Sequence, residues 1–346
     1  MRLTIHTVQV PLRTPFVSAT SSVEVRGLLG VELEGADGVT GYGEAAPLES
    51  YDGVSLDAAR AAIEDCRDVL EDADGTDIDG LLTACWSRAV LPQAMAGIDL
   101  ALWDLAGRRA DLPVWRLLGG DEPGPVAVNA TIAAADRAGA ATQAADAVAA
   151  GFTCLKVKVG LGDDGPRLAA IRAVAGASTA IRIDANGVWS VEEALASLRL
   201  LQPVGIELCE EPVSGLGANR EVSVTAPVAT AIDESAALPG ALDVRASTAV
   251  CLKITRCGGI SGLLWAATRA RRAGYEVYLA STLDGPRGIA AALHAAAAVR
   301  PDRPCGLATL SLFADTAETL PIRRGAMALP AGPGLGDGLV LRARSA

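Results

Sequence analysis

Five short apolar segments, each with a charged residue at or near its carboxyl end, constrain the fold of this chain more than any other feature. They read CLKVKV, IRID, IELCEE, ATAIDE and AVCLKI, and they lie at Cys154–Val159, Ile181–Asp184, Ile206–Glu211, Ala229–Glu234 and Ala249–Ile254. Their midpoints are roughly 20–26 residues apart, which is the length of one strand, one helix and two turns. A repeated unit of this length predicts parallel strands, and eight such strands close into a barrel of about 250 residues.

Alternation along these segments places the charged side chains on one face of each strand. Lys156 and Lys158 share a face opposite Leu155 and Val157, and Lys253 also lies between apolar neighbours. The apolar faces must pack against the outer helices, so we expect the charged faces to point into the barrel. Because buried charges are costly unless they are paired or bind a metal, this pattern indicates a functional site.

Three carboxylates, Asp184, Glu210 and Asp233, lie at the ends of successive predicted strands and therefore at one rim of the barrel. They would repel one another without a cation. A hard divalent ion with oxygen ligands resolves that conflict, most simply Mg²⁺, with Mn²⁺ as a substitute. Lys158 from an early strand and Lys253 from a later one would then lie on either side of a metal-bound substrate, which is a catalytic arrangement.

The motifs LKVKVG, RIDANG, CEEP, IDES and LKITRCGG follow one another along the chain. In this order and spacing they resemble the motif set of the enolase superfamily, in the subgroup of muconate cycloisomerase and mandelate racemase. The resemblance runs over nearly the whole chain and implies a TIM-type (β/α)7β barrel with an α+β capping domain. We expect the capping domain at residues 1–120, the barrel at 121–315, and a tail that returns to the cap at 316–346.

Other segments predict the remaining strands. Alternating residues 2–11 and 25–35, followed by a turn and the segment 39–47, predict three antiparallel strands of the cap. Residues 126–133 predict the first barrel strand, and residues 305–309 predict a short last one.

The resemblance also implies roles for the charged residues. Asp184, Glu210 and Asp233 match the metal ligands, and Lys158 matches the general base. Lys156, on the same face, would lower the pKa of Lys158 by like-charge repulsion and so supply a neutral amine.

Lys253 would lie on the opposite face of the substrate, either as a second base or as a cation that stabilises the enediolate. Glu211 and Glu234, next to two of the ligands, should face the other way. In the family, the loops that correspond to residues 13–22 and 49–53 close over the barrel mouth. We expect supporting contacts to the ligands, or contacts to substrate, from Arg182, Asn186, Glu234, Thr131, Ser281, Asp284 and Tyr51.

Composition narrows the class of partner. The net charge is −11 and no basic cluster stands out, which argues against nucleic acid and anionic membranes. The chain has only two histidines, which are too few for most His-based metal sites or catalytic triads. None of its seven cysteines forms a CxxC pair. Reduced thiols favour a cytoplasmic protein. The resemblance implies a small-molecule carboxylate as the partner, and an apolar chain of this size is compatible with a homo-oligomer.

The common chemistry of the resembled superfamily is removal of the proton α to a carboxylate, which yields an enediolate. We favour dehydration of the o-succinylbenzoate synthase type, because residues 305–310 and 129–131 resemble that group. Dipeptide epimerases carry an acid-x-acid pair where this chain has Gly306-Leu307-Ala308.

Other reactions remain open. The stretches KITRCGG and STLDGP resemble the cycloisomerase and epimerase branches, so a muconate-type cycloisomerase and an N-acylamino acid or dipeptide racemase are alternatives. Two further classes are a Schiff-base aldolase that uses Lys253 and a barrel that binds a ligand without catalysis.

Overall fold

The computed structural model describes residues 1–17, 22–119, 124–160, 162–314 and 319–339. Both predicted boundaries, after residue 120 and after residue 315, lie outside the described residues. No helix in these ranges is both long and apolar enough to cross a membrane.

The N-terminal part begins with the predicted three-stranded antiparallel sheet. Its strands, in the order β1-β2-β3, are β1 (Arg2–Val17), β2 (Ser22–Glu34) and β3 (Thr40–Ala45). Six helices follow: α1 (Glu49–Asp52), α2 (Leu56–Glu64), α3 (Arg67–Glu71), α4 (Ile78–Arg88), α5 (Pro92–Ala110) and α6 (Val114–Leu117). The short α1 falls within the loop that was expected to cover the barrel mouth.

Glycines allow helix α5 to lie directly on strand β3. A Cβ atom added at Gly43 would be 2.0 Å from the carbonyl oxygen of Gly97 and 2.8 Å from the backbone nitrogen of Ala101. Neither backbone atom can move without shifting the helix as a whole. The helix–sheet contact therefore requires a residue without a side chain at this position.

We predict that Gly43→Ala lowers the free energy of unfolding by about 1–3 kcal/mol, because the added methyl forces α5 away from β3. Urea denaturation followed by circular dichroism measures this change. Gly217→Ala is the control, since its added Cβ meets no atom within 4 Å and alanine favours a helix by about 0.5–1 kcal/mol. Equal stability of the two variants would contradict the prediction.

Seven parallel strands form the second sheet and confirm the predicted βα repeat. Their order in the sheet is β11-β10-β9-β8-β7-β6-β5. The strands are β5 (Ala130–Ile132), β6 (Cys154–Lys158), β7 (Ala180–Asp184), β8 (Ile206–Glu210), β9 (Ala229–Ile232), β10 (Ala249–Lys253) and β11 (Glu276–Ala280). Leu155, Val157, Ile181 and Ile183 are fully buried and pack in one cluster with residues of the outer helices.

Helices cover the outside of this curled sheet. They are α7 (Arg137–Ala149), α8 (Asp164–Ala175), α9 (Val191–Leu201), α10 (Leu216–Thr225), α11 (Ile254–Cys257), α12 (Ile260–Arg272) and α13 (Pro286–Val299). Strand β9 is followed instead by a single 3-10 turn, Glu234–Ala237. Further 3-10 turns lie at Gln202–Val204 and Leu310–Leu312.

The structure differs from a closed eight-stranded barrel at the junction of the two sheet edges. The segment predicted as the last strand makes single parallel bridges, from Cys305 to Val128 and from Gly306 to Ala280. The first predicted strand is also divided, because β4 (Val126–Ala127) pairs with a different sheet from β5. The hydrogen-bonded stretches of these segments are too short to form a continuous eighth strand within the described residues.

The described part of the tail contacts both halves of the molecule. Strands β12 (Ile322–Arg323) and β13 (Ala326–Met327) form a hairpin that pairs with β4. Further on, the Leu335 backbone N–H donates to Asp104 Oδ1 of α5 at 2.7 Å, and the Val114 N–H donates to the Gly334 carbonyl at 2.9 Å.

Candidate active site

The carboxyl ends of β6, β7 and β8 bring two lysines and two acids together. Lys158 Nζ donates to Asp184 Oδ2 at 2.6 Å and to Asn186 Oδ1 at 2.9 Å. Lys156 Nζ donates to Glu210 Oε1 at 2.5 Å and lies 2.9 Å from Asp184 Oδ2. Both ammonium groups therefore contact the same carboxylate oxygen, which places them as close neighbours on the inner face, as alternation predicts.

A second group at the ends of β9 and β10 is joined to the N-terminal part through Tyr51. Lys253 Nζ donates to Asp233 Oδ2 and to the Tyr51 hydroxyl, both at 2.6 Å. The hydroxyl in turn donates to Asp233 Oδ1 at 2.9 Å and accepts a bond from Arg256 at 3.1 Å. Tyr51 was expected to support the ligands or contact substrate, and the structure places it on a predicted ligand and a predicted catalytic lysine.

The ionic contacts shift the pKa values of these groups in opposite directions. Burial opposes a charged lysine, but Asp184 and Glu210 raise the pKa of Lys156 well above its usual value. Asp233 does the same for the pKa of Lys253. Burial alone would raise the pKa of Asp184, but Lys156 and Lys158 hold it well below its usual range. The contacts with carboxylates therefore favour the ammonium forms of Lys156 and Lys253.

Glu210 behaves differently from the other acids. Burial, opposed by Lys156 and aided by the charge of Asp184, raises the pKa of Glu210 to about 7. This raised pKa reflects the burial and the repulsion between carboxylates that were expected from the positions of the three acids in the sequence.

The acids can hold a hard cation. Glu210, Asp233 and Cys251 each offer a ligand atom within 4.8 Å of the other two. Asp184, the third predicted ligand, is linked to Glu210 through the ammonium group of Lys156. Three buried carboxylates supply the oxygen donors that Mg²⁺ prefers, whereas a thiol suits softer metals. The donor set formed by Asp184, Glu210 and Asp233 therefore fits a hard divalent ion.

The acids next to the predicted ligands contact other groups around the site. Glu211 accepts hydrogen bonds from the backbone N–H groups of Asp233 at 2.6 Å and Ser235 at 3.1 Å. Glu234 accepts a bond of 2.9 Å from Asn186 Nδ2, and Asn186 itself accepts from Lys158. Glu211 thus fixes the segment that carries Asp233, while Glu234 and Asn186 orient Lys158.

Arg182 supports the site only indirectly. Its Nε donates to Glu207 at 2.8 Å and its Nη1 to the Pro304 carbonyl at 2.7 Å. Its guanidinium lies over the ring of Tyr278, 5.2 Å from the centroid. The Tyr278 hydroxyl donates to Glu210 Oε2 at 2.8 Å. Sequence analysis missed Tyr278, although it shares the inward face of its strand with Ala280.

A cavity of about 100 Å³ lies between these groups and the N-terminal part. Its cap side is apolar, with Phe16, Val23 and Leu48. The other walls carry the predicted charged residues and a set of neutral polar side chains. The charged set is Lys156, Lys158, Asp184, Asp233 and Lys253, and the neutral set is Asn129, Thr131, Asn186, Ser281, Thr282 and Thr309, with Tyr51 beside them.

Two of the predicted contacts at the end of β11 have different positions. Ser281 lines the cavity, and its hydroxyl lies 2.7 Å from that of Thr309. Asp284 is fully buried outside the lining, where it accepts bonds from Thr255 at 2.7 Å and Thr282 at 3.1 Å. Asp284 therefore shapes the loop and does not face a substrate.

Family models match most of the chain. The model described as "Mandelate racemase / muconate lactonizing enzyme, N-terminal domain" matches residues 1–119. The model described as "Enolase C-terminal domain-like" matches residues 139–340.

Similar proteins catalyse several reactions. Muconate cycloisomerase 1 of Rhodococcus opacus is 33% identical over 347 residues, which cover 94% of this chain and 92% of the relative. The structure also resembles the crystal structure of a dipeptide epimerase from Enterococcus faecalis V583 complexed with Mg and the dipeptide L-Leu-L-Tyr. The TM-score is 0.90 at 26% identity, and the match covers 97% of this chain and 98% of that one. An N-succinyl Arg/Lys racemase from Bacillus cereus also has a TM-score of 0.90 at 26% identity, with coverage of 97% and 95%.

Proposed function

Because the chain belongs to the mandelate racemase/muconate lactonizing enzyme group of the enolase superfamily, we propose that it removes the proton α to the carboxylate of a small-molecule substrate. The observation that carries the proposal is the placement of Lys158 and Lys253 on the walls of one cavity with buried carboxylates between them. A structural role does not require two lysines and three acids inside one barrel end. Proton transfer at a carbon that carries a carboxylate gives each of them a role, as a base, as a group on the opposite face or as a metal ligand.

Asp184, Glu210 and Asp233 would hold the metal, which is Mg²⁺ with Mn²⁺ as a substitute. When bound, this ion supplies Lewis-acid stabilisation of the charge that develops on the substrate carboxylate. The same three acids now stabilise the ammonium forms of Lys156 and Lys253. Sharing their charge with a metal would weaken that stabilisation and make a neutral amine more accessible.

Lys158 would accept the α-proton at Nζ. Asn186 holds this amine by a bond of 2.9 Å, and Glu234 in turn fixes Asn186. Lys253 would face the opposite side of the α-carbon, held by Asp233 and Tyr51. In a two-base racemisation it delivers a proton to that side, whereas in a one-base reaction it remains a cation.

The neutral polar side chains that line part of the cavity favour an N-acylated substrate. The only carboxylates among the described lining residues are those of Asp184 and Asp233, which are assigned to the metal. A substrate ammonium group would have no other acid to pair with, because the position of the epimerase acid pair holds Gly306-Leu307-Ala308. Asn129, Thr131, Ser281 and Thr309 instead offer hydrogen bonds to an uncharged amide. Racemisation of an N-acylamino acid is therefore our first candidate.

Dehydration of the o-succinylbenzoate synthase type is the second candidate, because a cavity with an apolar cap side and no acid beyond the two predicted ligands also suits a substrate without an amino group. Muconate-type cycloisomerisation shares the same lysines and ligands. A Schiff-base aldolase is less compatible, since Lys253 is paired with Asp233 and its pKa is raised. That pairing opposes attack of a neutral amine on a carbonyl.

Proton NMR in D₂O, with Mg²⁺ and a substrate panel, tests the proposal. The panel holds N-succinyl and N-acetyl amino acids, dipeptides, muconolactone and the hydroxyacid precursor of o-succinylbenzoate. We expect loss of the α-proton signal from N-acylamino acids, with deuterium in both enantiomers. A dehydrated or ring-opened product would assign the second candidate or the cycloisomerase. No exchange with any member, while the chain remains folded and binds the metal, would contradict the proposed substrate class.

A further inference from the structure

Tyr278 reaches a predicted metal ligand from a distant strand. It lies on β11, whereas Glu210 ends β8, and strands β9 and β10 separate the two in the sheet. The 2.8 Å hydrogen bond between the Tyr278 hydroxyl and Glu210 Oε2 therefore crosses the interior of the curled sheet. Tyr278 is only 2% exposed, so water has little access to replace the phenol.

Both oxygens of Glu210 are held by side chains. Lys156 occupies Oε1 and Tyr278 occupies Oε2, and Glu210 is only 1% exposed. Because two donors on distant strands hold its two oxygens, this carboxylate has one orientation. Asp233 is held in a similar way by Lys253 and the Tyr51 hydroxyl, so Glu210 and Asp233 are each oriented by one lysine and one phenol.

The ring of Tyr278 is itself held by a buried arginine. Arg182 stacks on it at 5.2 Å, and Glu207 and the Pro304 carbonyl hold the guanidinium in turn. Arg182 is 1% exposed, and its Nη2 atom is buried without a hydrogen-bond partner among the described residues. The cation–π contact with Tyr278 therefore adds to the two hydrogen bonds of a fully buried cation.

We infer that Tyr278 is a positioning residue that sets the orientation of Glu210 for metal binding, with Arg182 acting through the Tyr278 ring. The inference rests on the proposed function, because it assigns Glu210 to the metal. Groups that orient metal ligands typically change metal affinity by about 10–100-fold when they are removed. Nothing in this role requires Tyr278 to touch the substrate.

The test measures the dissociation constant of Mn²⁺ by electron paramagnetic resonance, without substrate. Tyr278→Phe removes only the hydroxyl and keeps the ring under Arg182, and we expect Mn²⁺ to bind about 10–100-fold more weakly. Arg182→Lys keeps a positive charge near Glu207 but loses the guanidinium over the Tyr278 ring, so we expect a smaller loss in the same direction. This second variant gives an independent reading if Tyr278→Phe fails to fold.

Tyr275→Phe is the matched control. Its hydroxyl is also buried, and it donates to the Ala241 carbonyl at 3.0 Å and accepts from the Ala246 N–H at 2.7 Å. Its loss should lower the melting temperature and leave Mn²⁺ affinity unchanged. If Tyr278→Phe and Arg182→Lys bind Mn²⁺ as the unaltered chain does, the inference is wrong while the proposed function stands. If the unaltered chain binds no Mn²⁺, the proposed function itself fails and takes the inference with it.

Discussion

We expect Lys158→Ala to lower kcat by about 10⁴-fold and to retain the affinity for metal. The side chain accepts the α-proton in the proposed mechanism, and none of the other described residues places an amine against Asn186 Oδ1. Asp184 keeps its contact with Lys156 in the variant, so the ligand stays charged and in place. Removing a competing ammonium group should leave the dissociation constant of Mn²⁺ unchanged or lower it. Steady-state kinetics and Mn²⁺ titration of the same preparation measure both quantities.

Lys253→Ala is the matched variant on the other side of the cavity. In a two-base racemase, Lys158→Ala loses deuterium exchange for one enantiomer of the substrate and keeps it for the other. Lys253→Ala should show the reverse selectivity. Loss of exchange for both enantiomers in both variants would assign Lys253 the role of a stabilising cation in a one-base reaction. Exchange that persists for both enantiomers in Lys158→Ala would show that the base has been misplaced.

The parts of the structure that repeat along the chain were predictable from the sequence. Strands β6 to β10 begin and end close to the charged apolar segments, because alternation and βα spacing are local properties. The same alternation placed Lys156 and Lys158 on one inner face, and the structure confirms it. The superfamily assignment is confirmed as well, since it depended on five motifs in a fixed order and spacing between residues 155 and 259.

Contacts across the sheet were not predictable in this way. Tyr278 is four positions beyond Gly274 in a segment that reads as an ordinary strand, and nothing local indicates that it meets Glu210. That contact depends on the curl of the sheet. Tyr51 was expected at the site only from the family resemblance, because it meets Asp233 and Lys253 only after the N-terminal part has packed against the barrel mouth.

Local backbone geometry explains why Asp284 does not line the cavity. Leu283 has a φ of 58°, in the left-handed region that L residues rarely adopt. The turn carries Asp284 away from the cavity and toward the hydroxyls of Thr255 and Thr282. An apolar residue in this conformation has no sequence signal, unlike a glycine or an asparagine.

Asp184→Asn should have the second large effect, on both metal binding and stability. The variant keeps the shape of the side chain but removes the charge that holds Lys156 and Lys158. We expect Mn²⁺ affinity to fall by more than about 100-fold, beyond the loss typical of residues that merely orient a ligand, and kcat to fall with it. Removing one member of a buried ion pair also destabilises a protein by about 3–5 kcal/mol.

The stability that Asp184→Asn loses depends on pH, in a way that follows from the lowered pKa of Asp184. Folding holds the pKa of Asp184 well below its usual value, so its stabilising contribution is fully present above the unfolded pKa of about 3.9 and is lost as pH falls below it. The difference in unfolding free energy between the two chains should therefore be constant near neutral pH and shrink below about pH 4. Urea denaturation over a pH series measures it.

Asp99→Asn separates this effect from the general cost of replacing a buried acid. Asp99 is as buried as Asp184 but accepts hydrogen bonds from the backbone N–H groups of Ile260 and Ser261, away from the lysines. Burial raises the pKa of Asp99 to about 7, so its charge contributes no stability that an amide would remove at neutral pH. Asp99→Asn should therefore retain Mn²⁺ affinity. If Asp184→Asn retained it too, Asp184 would not be a ligand, and the metal would have to be held by Glu210 and Asp233 with another donor.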